Sequence, residues 1–227
     1  MLLLQFSTSH YCRKARLALG YKKVEYQVKN LTPGLHILKL KPLTGLTTVP
    51  ALQPTPEQGK DTIGDSTRIL HYLENHYPQP SYTLSDPQQN RYAWLLEDWL
   101  DESIGTATRF VYYDWRSKEG KSIDSSLSSQ LIINIVRRQY GITPATVKLA
   151  KERLENAIEV LSIWRQQPFL VGESFSVADL AASALLSPLA LIPEYRQEYP
   201  WLFQRIAETH QNCNESFPPG LSVISDQ

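Results

Sequence analysis

Two cysteines, Cys12 and Cys213, are all that the 227 residues contain. That is too few for a disulfide scaffold, and no Cys/His cluster has zinc spacing, so the chain reads as metal-free and suited to a reducing compartment. Excess charge is lacking as well: 23 Lys and Arg stand against 23 Asp and Glu. Without a global field the composition argues against nucleic-acid and membrane partners and disfavours a phosphate-binding role. Long apolar runs are missing too. Met1 to Phe6 is far shorter than a signal-peptide core or a membrane span, and domain-like sequence follows at once, so the expectation is a cytoplasmic protein. No tandem repeat or low-complexity segment is visible. The length that remains can bury a sizeable core in one large or two modest domains.

What is present begins with Leu2-Leu3-Leu4-Gln5-Phe6, then Ser9-His10-Tyr11-Cys12, then Arg13-Lys14-Ala15-Arg16-Leu17-Ala18-Leu19. This predicts a strand, a tight turn and a helix. A serine at a helix N-terminus is an ordinary cap in any fold, but its hydroxyl can also donate to the thiolate of a bound thiol. Val24, Tyr26 and Val28 alternate as in a second strand. Thr47-Thr48-Val49-Pro50-Ala51-Leu52 and the segment running to Ile63-Gly64-Asp65-Ser66 read as two short strands and a helix start, so the first part is expected to be β-α-β-α-β-β-α. Prolines after Glu74 stop that helix and place a boundary there, with a first domain at 1–78, a linker at 79–87 and a helical domain at 88–227. Leu154, Ala157, Ile158, Leu161 and Trp164 recur at three and four residues, one buried helix face. Phe175-Ser176-Val177-Ala178-Asp179-Leu180 is a capping box with a hydrophobic staple, assigned to stability. The tail from Phe217-Pro218-Pro219-Gly220 onward reads as poorly ordered or draped on the surface.

Taken together, Ser9, Val49-Pro50, Asp65-Ser66 and Ser176-Val177-Ala178-Asp179 resemble a cytosolic glutathione transferase over nearly the whole chain. The resemblance implies a thioredoxin-like α/β domain that binds glutathione, followed by an all-helical domain that supplies the electrophile site. The closest look is to bacterial or cyanobacterial members, with the chi class, associated with isothiocyanate conjugation, among the candidates. The class stays open, because S-H-Y-C stands where related classes show C-P or S-x-x, and two extra residues separate Pro42 from Val49-Pro50. In the thioredoxin superfamily the proline is cis and turns the preceding backbone N–H and C=O outward to bind an extended peptide.

The implied chemistry is detoxifying conjugation of the glutathione thiolate to small hydrophobic electrophiles. Ser9 is the first candidate for activating the thiol, and Tyr11 is the runner-up. Cys12 reads as a buried apolar residue, and His10 as an exposed loop histidine without a partner. Ser66 would hold the α-carboxylate of the γ-glutamyl group and Asp65 its ammonium, although Asp65 alone is equally a simple cap. Val49, beside Pro50, would pair with the cysteinyl peptide unit, and Lys41 and Thr48 are candidates for the glycyl end. The aromatic-rich first long helix of the second domain offers Arg109, Tyr112, Tyr113 and Trp115 for the electrophile, the bland alternative being interdomain or dimer core. Glutathione is the only co-substrate implied, and a homodimer is expected. Two other readings stay open: a glutathione-dependent thiol oxidoreductase or peroxidase using Cys12, and a non-catalytic binding protein that keeps the fold.

Overall fold

The opening apolar run becomes strand β1 (Leu2–Gln5) in the computed structural model, which describes residues 1–57 and 59–221. Helix α1 (His10–Tyr21), β2 (Gln27–Asn30), α2 (His36–Thr44), β3 (Ala51–Gln53), β4 (Ile63–Gly64) and α3 (Ser66–His76) follow, in the expected β-α-β-α-β-β-α order. The sheet order is β2-β1-β3-β4. β2 is parallel to β1, β3 is antiparallel to β1, and β4 is antiparallel to β3. Everything described after α3 is helical or irregular. Helix α4 (Pro87–Trp99) runs through a π-helical turn at Leu100–Ile104 into α5 (Gly105–Arg116). Then come α6 (Leu127–Gln139), α7 (Pro144–Val160), α8 (Val177–Leu186), α9 (Pro193–Glu198) and α10 (Pro200–Asn212). The fold class is a thioredoxin-like α/β unit followed by an all-helical remainder.

Local chemistry explains where these helices begin. The Asp86 carboxylate accepts from the N–H groups of Gln88 (3.0 Å) and Gln89 (2.7 Å), and Pro87 fills a first-turn position that needs no N–H. Thr143 and Thr146 cap α7 reciprocally, again with a proline next in line. The strongest start is that of α8: one Asp179 oxygen accepts from the Leu170 N–H (2.7 Å), and the other accepts from the Ser176 N–H (2.9 Å) and hydroxyl (3.0 Å). Asp179 therefore ties the helix to the preceding segment as well as capping it. Every residue of α8 is buried, as a helix apolar on all sides must be, and α1, α4 and α10 pack around it.

One apolar core runs through both parts of the chain, from Leu3, Leu17 and Leu70 to Leu100, Leu154, Leu180 and Phe203. Leu154, Ala157, Ile158, Leu161 and Trp164 are all buried in it. The segment after α3 is bolted down by Tyr82, which is fully buried, donates its hydroxyl to the Leu70 carbonyl and accepts at its own carbonyl from the Val177 N–H (3.2 Å).

Two expectations need correction. The second strand lies at Gln27–Asn30, so Val24 and Tyr26 precede it and pack against the core, whereas Val28 is 44% exposed. Edge position explains the shift: β2 has a partner on one side only, and nothing forces its side chains into alternate burial. The tail is not draped as far as it is described. Pro218 and Leu221 are buried, Arg196 Nη1 donates to the Gly220 carbonyl (2.9 Å), and a Cβ on Gly220 would lie 2.3 Å from the Ala190 carbonyl oxygen. The tail reading for 222–227 lies outside the described residues.

Candidate functional site

Strand register alone brings the sequence-predicted glutathione residues to one end of the sheet. Leu4 lies opposite Ala51, and Ala51 lies opposite Gly64. Because β3 runs against both β1 and β4, the turn after β1 (Ser9), the residues before β3 (Val49-Pro50) and those after β4 (Asp65-Ser66) all leave the sheet on the same side. The Val49–Pro50 peptide bond is cis. Among the described residues no hydrogen bond engages the Val49 N–H or C=O, so both are available to an extended ligand.

Two helix N-termini flank this strand end. Ser9 caps α1, its Oγ accepting from the Cys12 N–H (3.3 Å), which leaves the hydroxyl proton to be donated elsewhere. Asp65 caps α3 by accepting from the Arg68 N–H (3.0 Å), and it does so at φ 77°, a left-handed conformation that non-glycine residues rarely hold without a reason. The Ser66 side chain is buried and its hydroxyl donates to Asp101 Oδ1 (3.4 Å). Thr48 and Lys41 are exposed, the latter in the last turn of α2.

His10 and Tyr11 are both spent on the long helix. Tyr11 Oη donates to the Asp101 carbonyl (2.9 Å), and His10 Nε2 lies 3.0 Å from the Gly105 carbonyl. The π-helical turn makes this possible, since its displaced ladder presents carbonyls to neighbours. Gly105 is required at the contact: a Cβ there would sit 2.8 Å from Tyr11 Oη. The reading of His10 as an exposed loop histidine is thus corrected. It is buried, and burial, aided by the nearby Arg109 charge, lowers its pKa to about 3, so the ring is neutral and donates to Gly105. Burial also raises the Tyr11 pKa, with Arg109 opposing. Cys12 is fully buried and burial pushes its thiol up to about 11, the reverse of an activated nucleophile.

On α5, Arg109 lies over the Tyr11 ring at 5.1 Å and over the Tyr140 ring at 4.4 Å. Tyr112 stands edge-on to Tyr113 and accepts from Arg116 Nη1 (3.3 Å). Burial and Tyr112 push Tyr113 up to about 12. Trp115 lies about a third of a turn around the helix from Arg109. It packs against Gly120, where a Cβ would approach within 2.5 Å of its ring. The structure therefore sets Arg109 on Tyr11 and brings Tyr113 near Arg109 and Tyr112, while Trp115 packs against Gly120.

Residues 3–81 match the family model for the glutathione S-transferase N-terminal domain. That stretch of the chain is a glutathione S-transferase N-terminal domain. Among its relatives, FtsZ-localized protein A of Caulobacter vibrioides is 25% identical over 219 residues, 95% of this chain and 86% of that protein. A glutathione S-transferase from Rhodospirillum rubrum F11 superimposes with a TM-score of 0.71 at 19% identity, covering 100% of this chain and 92% of its own. One from Methylobacterium radiotolerans, solved with glutathione sulfonate, gives 0.71 at 19% identity, covering 96% and 94%. At these identities the two structures speak for a shared fold.

The chain carries a buried charge cluster that the sequence reading missed. Lys14 Nζ donates to Glu97 Oε1, to Asp101 Oδ1 and to Thr67 Oγ1 (3.0 Å), and Thr67 in turn donates to Glu97 (2.8 Å). Lys14, Glu97 and Asp101 are 0%, 1% and 5% exposed, so water contributes almost nothing to their solvation. Burial opposes the Lys14 charge, but the two carboxylates outweigh it and raise its pKa. The signal was present in Arg13-Lys14-Ala15-Arg16: three cations in four positions cannot all face solvent on a helix buried continuously from Cys12 to Leu19. The cluster joins α1, α3 and α4 directly behind Ser66.

Proposed function

We propose that this chain is a glutathione transferase, with glutathione as its co-substrate and a small hydrophobic electrophile as its second substrate. The observation that carries the reading is the register that sets Ser9, the unpaired Val49 backbone and Asp65-Ser66 at one sheet end. The Val49 N–H and C=O suit the cysteinyl peptide unit. Behind Ser66, Lys14 offsets only one of the two carboxylates of its cluster, and Glu102, Asp98 and Asp65 stand nearby, a local negative potential suited to the γ-glutamyl ammonium. The α3 N-terminus suits the adjoining α-carboxylate. In this reading residues 1–78 bind glutathione, 79–87 link, and 88–227 present the electrophile, within a homodimer.

Ser9 activates the thiol. Its hydroxyl proton donates to the glutathione sulfur, and the positive end of α1 favours the anion. Lowering a thiol pKa by two units takes about 2.7 kcal/mol of preferential thiolate binding, within reach of one charge-assisted hydrogen bond and a helix terminus. The thiol proton passes to solvent, and sulfur forms a bond to the electrophilic carbon. In a substitution the leaving group departs with its bonding pair, and in an addition the displaced pair is protonated by water. Tyr11 is less suited, because its proton is already given to Asp101, and the Cys12 oxidoreductase reading loses its nucleophile to burial.

The test is a pair of variants. Ser9→Ala should lower kcat about 100-fold while calorimetric glutathione affinity stays within about threefold, and Tyr11→Phe should keep most of kcat. Conjugation retained in Ser9→Ala and lost in Tyr11→Phe transfers the role to the tyrosine. A second reading rests on likeness to a protein named for its localisation with FtsZ: a transferase fold that acts by binding a protein partner. It predicts no turnover with any of an isothiocyanate, an aryl halide, a hydroperoxide or a mixed disulfide.

A further inference from the structure

We infer that the second substrate is an anion, a carboxylate-bearing electrophile docked on Arg109; the inference rests on the glutathione-conjugating reading above. The Arg109 guanidinium lies over two aromatic rings, Tyr11 at 5.1 Å and Tyr140 at 4.4 Å, and among the described residues no ion pair or hydrogen bond engages it. The rings hold the charge by cation–π attraction and leave its N–H donors unspent. A guanidinium fork with free donors can receive a carboxylate through two parallel hydrogen bonds.

The carboxylates that could have neutralised it are committed elsewhere. Asp101 is held by Lys14, and Asp114 by Lys118 (2.8 Å) and Arg137 (3.4 Å). Glu102 interacts with Asp101, Asp98, Asp65 and Lys14, and Arg109 is not among its partners. The cation also has a reachable side, because Arg109 is half-buried and Tyr140 is 39% exposed. Position relative to the chemistry follows from the chain itself. Tyr11 is two residues from Ser9, so the guanidinium lies one ring away from the segment that would activate the thiol. An electrophile with an apolar body and a carboxylate would set its body against Tyr11 and Tyr140 and its charge on Arg109. In the reading above, glutathione's α-carboxylate goes to the α3 N-terminus.

The experiment measures binding to the full-length protein by calorimetry, using glutathione, S-benzylglutathione and S-(4-carboxybenzyl)glutathione with wild type, Arg109→Leu and Arg109→Lys. The two conjugates share the tripeptide, so their difference reports the added carboxylate alone. Wild type should prefer the carboxybenzyl conjugate by about tenfold to a hundredfold. Arg109→Leu should erase that preference, Arg109→Lys should keep part of it, and glutathione should bind all three proteins alike, which also shows that they are folded. Absence of any preference in wild type, or a preference that survives Arg109→Leu, overturns the assignment of Arg109. Failure of wild type to bind glutathione itself overturns the underlying transferase reading instead, and the anion site with it.

Discussion

Replacing Lys14 with Met tests whether the buried cluster is an electrostatic unit. Methionine nearly matches lysine in length, so the packing around α1 is kept and the charge is the main thing lost. Glu97 and Asp101, 1% and 5% exposed, would then face one another without a cation. Removing one partner of a buried ion pair costs about 3–5 kcal/mol, and with two stranded carboxylates the upper part of that range applies. Against a total stability of about 5–15 kcal/mol this is a large share. Urea unfolding followed by tryptophan fluorescence should show a lower midpoint with an unchanged slope. Adding Glu97→Gln and Asp101→Asn removes the stranded charge while keeping oxygens that accept from Thr67 and Ser66, and should restore most of the loss. A cost under about 1 kcal/mol for Lys14→Met, or no recovery in the triple variant, refutes the reasoning.

Two further outcomes follow from the site and from its histidines. Asp65→Ala or Ser66→Ala should weaken glutathione binding about tenfold and raise KM with kcat little changed, because these groups hold the tripeptide in ground and transition states alike, and unchanged calorimetric affinity in both removes them from the site. His10 and His210 are buried neutral, lowered by burial to about 3 and about 4, so between pH 6.5 and 4 the unfolded chain binds protons that the native state does not. Stability should therefore fall on acidification through that window by about 1.4 kcal/mol per pH unit for each net proton. Asp179, pushed up to about 6 by burial, opposes them below that pH. A urea midpoint that does not fall from pH 6.5 to 5 would contradict the assignment of neutral histidines.

Periodicity and punctuation were enough, without any structure, for the order of elements in the first part, the helix face from Leu154 to Trp164 and the start of α8 at Ser176. Those features depend on neighbours within a few residues, and local chemistry decides them. Ser9, Val49-Pro50 and Asp65-Ser66 could likewise be nominated from their turn and cap signatures, yet nothing local says that they meet. Only the antiparallel register of β3 between β1 and β4 brings them to one end of the sheet. The same holds more strongly for the charges. Whether Lys14 faces water or two carboxylates is set by α4 and the π-helical turn, 83 and 87 positions away, and whether Tyr11 has a proton to give is set by a displaced carbonyl in that turn. Arg109 shows both halves of the lesson. Its place among aromatics was visible in the sequence, but its lack of a carboxylate partner is a property of the folded neighbourhood, because pairing is decided by which distant side chains arrive and which are already taken.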